Sequence, residues 1–431
     1  MKYKECTLDD IKLNERGSVI SGPFGSNISS KFFVESGLPV IRGNNLNLSF
    51  EKFIDTGFVF VTPEKADELN CWAIKGDLIF TAAGTIGQVG LLDGSEKFDR
   101  YVISNKQLRA RIDTTVIDVL YAYYWFSSPW IRQRLQNSNV GSTVPLITLR
   151  ELKELPIRFP VDIVEQKKIA TCLDHISRKI FLNNAINTEL ESTARTLYDY
   201  WFTQFDFPDA DGKPYKSSGN AMIWSEELKR EIPQGWKTER LKDVADIVLG
   251  GTPSTGVDEY WGGEFHWLNS GEVSNFPVVD SELFVTQKGI DNSATKLMPK
   301  KTTIISITGN IRTSILAIET CANQSVVGVY ETETLRCQYL YPIITGMLAS
   351  YTAVSTGNCQ THINKGTVED TKIVIPSDDV LDVYYAKSEP LYRMIFNNAL
   401  QSKNLIELRD FLLPLLMNGQ VRVANGSQNK V

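Results

Sequence analysis

The chain has 431 residues, of which 42% are hydrophobic and 22% are charged, as in an ordinary soluble globular protein of two or three domains. The formal net charge of −6 argues against a uniformly basic, nucleic-acid-binding surface but permits a local basic face. The six cysteines form no Cys-x-x-Cys pair, the N-terminus MKYKECTLDD is polar, and no apolar run reaches the roughly 20 residues that cross a bilayer. We therefore predict a reduced, cytoplasmic protein without a zinc site, signal peptide or membrane span.

Residues 1 to about 160 predict a mixed α/β unit. Short β-rich runs such as LPVIRG, DLIFTA and PIRFP alternate with turns of Gly, Asn and Ser. A helical pattern covers residues 116–137, and its aromatic stripe predicts core packing.

A long helix is predicted from about residue 163 to 205. Its seam residues recur in alternating steps of four and three, which is the heptad pattern of a coiled coil. The predicted seam consists of Ile169, Leu173, Ile176, Ile180, Asn183, Asn187, Leu190, Ala194, Leu197 and Trp201.

Residues 208–230 are rich in Pro, Gly, Asp and Ser and predict a linker. Their PDADGK segment superficially resembles a nuclease motif, but its acidic residues are too close together, so a solvated loop is the better interpretation. A second mixed unit begins near residue 231 with EIPQGWKTERLKDVADIVLGGTPST. The first unit opens on a weaker version of this run, YKECTLDDIKL, with SGPFGS in place of LGGTPS.

A second long helix is predicted from about residue 380 to 417. Pro390 lies early in this segment and predicts a kink or a restart of the helix. The predicted seam consists of Leu391, Met394, Asn398, Gln401, Leu405, Leu408, Leu412 and Leu415.

Both predicted seams carry polar residues near the middle of the helix. Polar seam residues fix the register of a coiled coil at a cost in stability. Antiparallel pairing of the two helices would bring these residues into one layer at a pseudo-twofold axis, whereas the alternative leaves the Asn-Asn pairs in solvent. The predicted layer comprises Asn183, Asn184, Asn187, Asn397, Asn398 and Gln401.

The two halves of the chain repeat one another. GDLIFTAAGTIGQVGLLD at 76–93 is echoed by KTTIISITGNIRTSILAI at 301–318, and GSTVPLITLRELKELPIRFP at 141–160 by GNCQTHINKGTVEDTKIVIP at 357–376. Each copy consists of a globular unit followed by a helix. The repeat predicts two similar domains related by a pseudo-twofold axis.

No catalytic constellation is visible in the sequence. Of the three histidines, His175 lies on the first predicted long helix, and His266 and His362 lie in the second unit without matches in the first, so none indicates a metal or acid–base site. The phosphate-binding loop of nucleotide hydrolases and the Asn/Asp-Pro-Pro-Tyr/Phe motif of amino-methyltransferases are both missing from the sequence. The pattern favours a recognition protein over an enzyme.

The turns of both units are rich in side chains that pair with base edges. Arg suits guanine, and Asn or Gln suits adenine, in the major groove of DNA. The turn residues differ between the units, so two copies of one scaffold would read two different short sequences. The alternative for each residue is a solvated turn without a DNA contact. The candidates are Ser26, Lys31, Arg42, Asn44, Asn45, Thr81, Thr85, Gln88, Asn105, Lys106, Ser142, Thr143, Thr252, Ser254, Asn269, Thr308, Asn310, Arg312, Thr313, Asn323, Gln324, Gln360, Asn364 and Lys365.

The order and duplication of these runs resemble the specificity subunits of type I restriction-modification systems. The resemblance covers nearly the whole chain and depends on GDLIFTAAGTIG, the EIPQGW opening, NNAINTELESTARTLYDYWFTQFDF and FNNALQSKNLIELRDFLLPLLMNGQV. It implies an α+β fold in which two similar α/β target recognition domains are separated by two long helices that pair as an antiparallel coiled coil. The implied domains are target recognition domain 1 (1–160), the central spacer helix (161–207), a linker (208–230), target recognition domain 2 (231–377), the C-terminal spacer helix (378–418) and a flexible tail (419–431).

The resemblance also implies a function in defence against foreign DNA. Each domain would read one half of a bipartite, asymmetric site in double-stranded DNA, and the helices would set the gap between the halves and dock two methyltransferase subunits. Restriction subunits would join the assembled complex. The chain itself would bind no cofactor, and S-adenosylmethionine, ATP and Mg²⁺ would belong to the partner subunits. The first unit lacks the Ile-Pro-x-Gly-Trp lead-in of residues 232–236, so the family pattern does not define how it begins.

Two other functions are compatible with parts of the pattern. A fused restriction-modification enzyme would need methyltransferase or nuclease motifs, which the sequence lacks. A non-catalytic adaptor that binds only protein partners would suit the acidic net charge. DNA binding separates the leading hypothesis from the adaptor.

Overall fold

The computed structural model describes residues 2–137, 146–353 and 362–424. The chain divides into two compact units, Met1–Phe181 with Leu405–Val431 and Leu182–Asn404. Each unit contains a mixed α/β body together with part of both long helices. The predicted α+β class is confirmed, while the exact domain boundaries stay predictions. Of the predicted tail at 419–431, residues 425–431 lie outside the described part.

The first unit is built from one strand pair and two four-stranded sheets. β1 pairs antiparallel with β10, and the sheets have the orders β2-β9-β6-β7 and β4-β3-β8-β5, with β3 and β8 parallel. The strands are β1 (Tyr3–Thr7), β2 (Val19–Ser21), β3 (Leu38–Ile41), β4 (Val59–Val61), β5 (Trp72–Ile74), β6 (Asp77–Thr81), β7 (Val89–Leu91), β8 (Arg100–Ile103), β9 (Gln107–Arg111) and β10 (Pro156–Pro160).

The predicted helix at 116–137 is two helices, because Pro129 starts a new one after Ser127 and Ser128. Its aromatic stripe is core, as predicted: Tyr121, Tyr123 and Phe126 are fully buried. The helices of this body are Leu8–Ile11, Pro63–Leu69, Val119–Phe126, Pro129–Asn137 and Leu149–Lys153.

The second unit contains a hairpin of β11 and β12, a strand pair of β13 and β21, and two larger sheets. These sheets have the orders β14-β20-β17-β18 and β16-β15-β19, with β15 and β19 parallel. The strands are β11 (Met222–Ser225), β12 (Arg230–Pro233), β13 (Lys237–Arg240), β14 (Ile247–Leu249), β15 (Trp261–Leu268), β16 (Leu283–Val285), β17 (Thr303–Ser306), β18 (Thr313–Ile315), β19 (Thr320–Ala322), β20 (Val326–Val329) and β21 (Lys372–Ile375). The helices are Leu241–Val244, Gln287–Asp291, Cys337–Gly346, Leu348–Ala353 and Lys365–Glu369.

The two bodies repeat the same strand order. The sheet β2-β9-β6-β7 of the first corresponds to β14-β20-β17-β18 of the second, and the pair β1–β10 to β13–β21. An isolated bridge between Ala83 and Leu146 corresponds to one between Thr308 and His362, in the register of the sequence repeat. β1 therefore opens the first body as β13 opens the second, and β11 and β12 lie in and beside the predicted linker of the second unit.

Two long helices complete the fold. The central helix, Ile163–Tyr198, continues as a π-helical turn over Asp199–Thr203, and the C-terminal helix covers Asp378–Met417. The C-terminal helix passes through Pro390 without a break, so the predicted restart there is wrong. In the second unit the helices run antiparallel, because Asn183 contacts Gln401 whereas Asn187, further along, contacts Ile395.

The seam of the C-terminal helix lies one residue away from its predicted position. Met394 and Leu408, both predicted to face the partner helix, are 48% and 44% exposed. The buried residues of this helix are Leu381, Tyr384, Tyr385, Ser388, Tyr392, Ile395, Ser402, Arg409, Leu413, Leu416 and Met417. The polar members of this set explain the error, since a search for apolar heptads favours the neighbouring row of Met and Leu.

Candidate nucleic-acid interface

A cavity of about 400 Å³ lies among the turns of the first body. It is formed where the strands of both four-stranded sheets end. Arg42 follows β3 and Ser104 follows the parallel β8, so both turns leave the same edge of one sheet. In the other sheet, Thr81 at the end of β6 pairs with Gln107 at the start of β9. The lining residues are Ile28, Phe33, Val40, Arg42, Gly43, Asn44, Thr81, Ala83, Gly84, Thr85, Gln88, Ser104, Asn105, Lys106 and Gln107.

Seven of the predicted contact residues thus come together in this cavity. Four of them, Asn44, Thr85, Asn105 and Lys106, are exposed and can present side-chain donors and acceptors to a ligand. Arg42 is half-buried and donates one hydrogen bond from Nη2 to the Gly57 carbonyl at 3.2 Å. The charged lining residues in the described part of the chain, Arg42 and Lys106, are both cationic, which suits an anionic ligand.

Three predicted contact residues make hydrogen bonds within the body. Asn45 is fully buried, and its amide bonds the Ile54 and Thr56 carbonyls at 2.9 Å. Thr81 is 2% exposed and donates to Gln88, whose own amide donates to the Leu46 carbonyl at 2.9 Å. These internal bonds hold the cavity walls and leave Asn45 and Thr81 no surface with which to contact DNA.

A neighbouring segment, which contributes Ile28 and Phe33 to the cavity lining, carries further exposed residues. Ser26 and Lys31 are exposed, and the Lys31 ammonium lies 4.8 Å from the centre of the Phe32 ring. Phe24, which was not predicted as a contact residue, is 84% exposed. A criterion based on hydrogen-bonding side chains does not select an apolar residue, although the SGPFGS run places this aromatic residue between Gly22 and Gly25.

In the second body, the turn between β17 and β18 presents Asn310 and Arg312 to solvent. Ser306 fixes this turn, because its hydroxyl donates to the Asn310 carbonyl and accepts from the Arg312 amide, both at 2.8 Å. At its flanks, Thr308 bonds the His362 Nδ1 at 3.1 Å and Thr313 bonds the Thr345 hydroxyl at 2.8 Å. A fixed backbone with exposed Arg and Asn side chains is suited to reading base edges.

The remaining predicted residues of the second body have local partners. Asn269, Asn323 and Asn364 use their side-chain oxygens to accept hydrogen bonds from backbone amides, and their DNA contacts stay predictions. Thr252 donates to Gln324, and Lys365 pairs with Glu369 at 2.8 Å. Ser254 is exposed. Ser142, Thr143 and Gln360 lie outside the described residues.

A polar layer joins the two long helices in the second unit. Asn183 is fully buried and donates to the Gln401 amide oxygen at 2.9 Å, with Ser402 also within reach at 3.3 Å. Asn187 donates to the Ile395 carbonyl and accepts from Asn398, both at 3.0 Å.

Two residues predicted for this layer lie outside it. Asn184 and Asn397 are exposed, because each points away from the buried stripe of its helix. Ser402 joins the layer instead. Its short hydroxyl side chain does not stand out in the sequence beside the Asn and Gln residues of the same helix.

Other kinds of site find little support in the described part of the chain. Among these residues, no cluster of three or more His, Cys, Asp or Glu side chains could hold a metal ion. In the same ranges, no helix is both long enough and apolar enough to cross a membrane.

Comparison with known proteins assigns the family. The family model for the type I restriction modification DNA specificity domain matches residues 23–192 and again residues 233–386. The chain belongs to this family of type I restriction-modification specificity subunits. The two matches fall on the two repeated bodies, and each extends into the helix that follows.

Two type I restriction enzyme specificity subunits are similar over most of the chain. The MjaIX specificity subunit of Methanocaldococcus jannaschii is 25% identical over 81% of this chain and 78% of its own. The HindI specificity subunit of Haemophilus influenzae is 23% identical over 80% of this chain and 87% of its own. The fold is similar to the crystal structure of a type I S subunit from M. genitalium, with a TM-score of 0.58, 14% identity and 96% of both chains covered.

Proposed function

We propose that this specificity subunit reads a bipartite DNA target, with one half-site recognised by each body. The observation that carries the proposal is the pairing of one repeated strand order with different exposed side chains. Asn44, Asn105 and Lys106 line the cavity of the first body, whereas Asn310 and Arg312 occupy the β17–β18 turn of the second. Equal scaffolds with unequal reading residues recognise an asymmetric sequence.

The chain acts in this proposal as a non-catalytic part of a larger complex. Two methyltransferase subunits dock on the long helices and supply S-adenosylmethionine and the methyl transfer, and restriction subunits supply ATP-driven, Mg²⁺-dependent cleavage. The acidic net charge of −6 is compatible with this division, because partner subunits would add phosphate contacts beyond the cationic turns. The complex would act in the cytoplasm against foreign DNA.

The test is to express the chain with its modification subunits and map methylated adenines by single-molecule sequencing. We expect one asymmetric, split motif to be methylated, and labelled S-adenosylmethionine to give no transfer with this chain alone. Transfer by the isolated chain, free of modification subunit, would contradict the non-catalytic role. Assembly with modification subunits without any sequence-specific DNA binding would instead support a protein-only adaptor.

The long helices set the gap between the half-sites in this proposal. Insertion of one heptad in step into both helices keeps their seams in phase and lengthens each by about 10 Å. At roughly 3.4 Å per base pair, the gap grows by at most about three base pairs. DNA bending absorbs part of the change, so we expect an increase of one or two. Methylation mapping of a fully active insertion variant with an unchanged gap would show that another feature sets the spacing.

A further inference from the structure

Phe24 is the most exposed of the large apolar side chains in the described ranges, at 84%. It lies in the SGPFGS turn, between β2 and the short helical turn Gly25–Ile28. Because its ring is largely outside the core, packing does not explain why an aromatic residue occupies this position. Isolated apolar residues on a surface are common, and a role for Phe24 therefore has to come from how it is held and what surrounds it.

The backbone around Phe24 is tightly held against the cavity wall. The Gly22 amide donates to the Gln107 carbonyl at 2.9 Å, and a Cβ on Gly22 would collide with the Ser104 carbonyl. A Cβ on Gly25 would lie 3.0 Å from Nδ2 of the Asn105 side chain. Phe24 itself accepts a bond from the Asn27 amide at 2.8 Å. The ring is thus presented to solvent from a fixed turn directly beside Ser104 and Asn105.

The surroundings of Phe24 carry cationic and amide side chains that suit a DNA ligand. Ser104 and Asn105 line the cavity whose charged members are Arg42 and Lys106, and Lys31 is exposed in the segment that follows Phe24. An apolar side chain among cations and amides has a specific use on DNA, where it can wedge into a base step or stack on an unstacked base. A protein partner would be expected to meet a wider apolar patch.

The corresponding turn of the second body lacks this feature. LGGTPS stands in place of SGPFGS, and the Gly250 amide donates to the Val326 carbonyl just as Gly22 does to Gln107. The position of Phe24 is occupied by Thr252, whose hydroxyl is bonded to Gln324. The same backbone turn therefore presents an exposed aromatic ring in the first body, and in the second a threonine hydroxyl that is already hydrogen-bonded within the protein.

We propose that Phe24 inserts at a base step of the first half-site and unstacks it, and that the second half-site is read without such a wedge. This inference rests on the proposed function and adds a shape-dependent contribution to the hydrogen-bonding readout. Flexible pyrimidine–purine steps unstack most easily, so the first half-site should prefer one at the contacted position.

The test uses the chain assembled with its modification subunits and a duplex that carries the target mapped by methylation. 2-Aminopurine is placed in turn at each position of the first half-site. We expect binding to raise its fluorescence several-fold at one step, and Phe24→Ala to abolish that rise and weaken binding about tenfold. Phe24→Trp should retain both properties. Trp224→Ala, at an exposed aromatic on β11, is the matched control and should change neither.

Each outcome separates the inference from the function on which it rests. Phe24→Ala with wild-type affinity and an unchanged fluorescence pattern would overturn the wedge while leaving the specificity role intact. A folded Phe24→Ala chain that no longer assembles with the modification subunits would show that Phe24 contacts protein, which also overturns it. Failure of the wild-type complex to bind the mapped duplex would refute the proposed function itself.

Discussion

The two bodies share a strand order, but one buried position of the shared sheet is filled by an ion pair in the first body and by a neutral hydrogen bond in the second. In the first, Asp77 is fully buried and bonds the Arg111 guanidinium at 2.8 and 2.9 Å, with Arg109 at 3.6 Å. In the second, the repeat places Thr302 at this position, where it is 1% exposed and bonds the Pro299 carbonyl at 2.7 Å.

The partner strands show the same contrast. In the first body, Arg109 of β9 pairs with Ile79 of β6. In the second body, Gly328 of β20 pairs with Ile304 of β17, and the Met298 and Thr302 side chains pack against this glycine. Burial lowers the pKa of Arg109, and the hydrogen bond to Asp77 raises the pKa of Arg111. The strand order therefore does not depend on the ion pair. What is retained between the copies is the backbone pairing, and the side chains that fill it are free to diverge.

The largest expected effect follows from this contrast. Asp77→Ala leaves Arg109 buried without its carboxylate, which should cost roughly 3–5 kcal/mol in the free energy of unfolding of the first body. Thr302→Ala loses one neutral hydrogen bond and should cost about 1 kcal/mol in the second. Hydrogen exchange followed by mass spectrometry reads β6 and β17 separately. Equal losses of protection in the two variants would show that the ion pair contributes no more than a threonine.

The Asn-Asn pairs sharpen the comparison, because Asn183 is fully buried in the first pair whereas in the second Asn397 is exposed and Asn398 is half-buried. Asn183→Ala removes the buried amide that bonds Gln401 and should destabilise the helix pair by about 1–3 kcal/mol. Asn184→Ala, its exposed neighbour, should change stability by less than about 0.5 kcal/mol. Urea denaturation measures the free energy of unfolding of both variants, and an unchanged m-value shows that the change is one of stability. A larger loss for Asn184 would mean that the helices pair through a different face.

A third prediction concerns reading in one body only. Arg312→Ala should relax the target at one position of one half-site, with a loss of roughly 1–3 kcal/mol of discrimination, and leave the other half unchanged. Competition binding with single-base variants of the mapped target measures this. Uniform weakening for all sequences would instead identify Arg312 as a phosphate contact. Asn45→Ala, a buried substitution in the first body, is the structural control, which should lower stability without changing the half-site that Arg312 reads.

The smallest effect concerns pH. Burial, helped by nearby Lys403, lowers the pKa of His266 from its ordinary value of 6.5, and Asp280 opposes the shift. The unfolded chain then takes up the proton more readily, so the stabilisation is present above pH 6.5 and is lost as pH falls through the lower folded-state pKa. His266→Phe should reduce this loss in denaturation experiments. No difference between variant and wild type below pH 6.5 would contradict the shift.

The sequence predicts the architecture better than it predicts the contacts. The repeat and the central seam are periodic, so Ile169, Leu173 and Ile180 were placed correctly in the buried stripe. The C-terminal seam was displaced by one residue because Ser402 and Arg409 occupy buried positions that an apolar pattern does not mark.

The contact residues depend on bonds that only the fold creates. Asn45 and Asn44 are adjacent and chemically identical, yet one is buried among backbone carbonyls and the other is exposed. Nothing in the local sequence separates them, because the partners of Asn45 are about ten residues away at Ile54 and Thr56. The exposure of Phe24 is likewise not predictable from the sequence, because a single apolar residue in a turn is as compatible with the core as with the surface.

The central claim is that each body reads its own half-site, and an exchange of the first body tests it most directly. Residues 1–155 are replaced by the matching segment of a related specificity subunit, and methylated adenines are mapped with the same modification subunits. We expect one half of the motif to change, while the sequence of the other half and the gap stay the same. A change in both halves would contradict the independence of the two bodies.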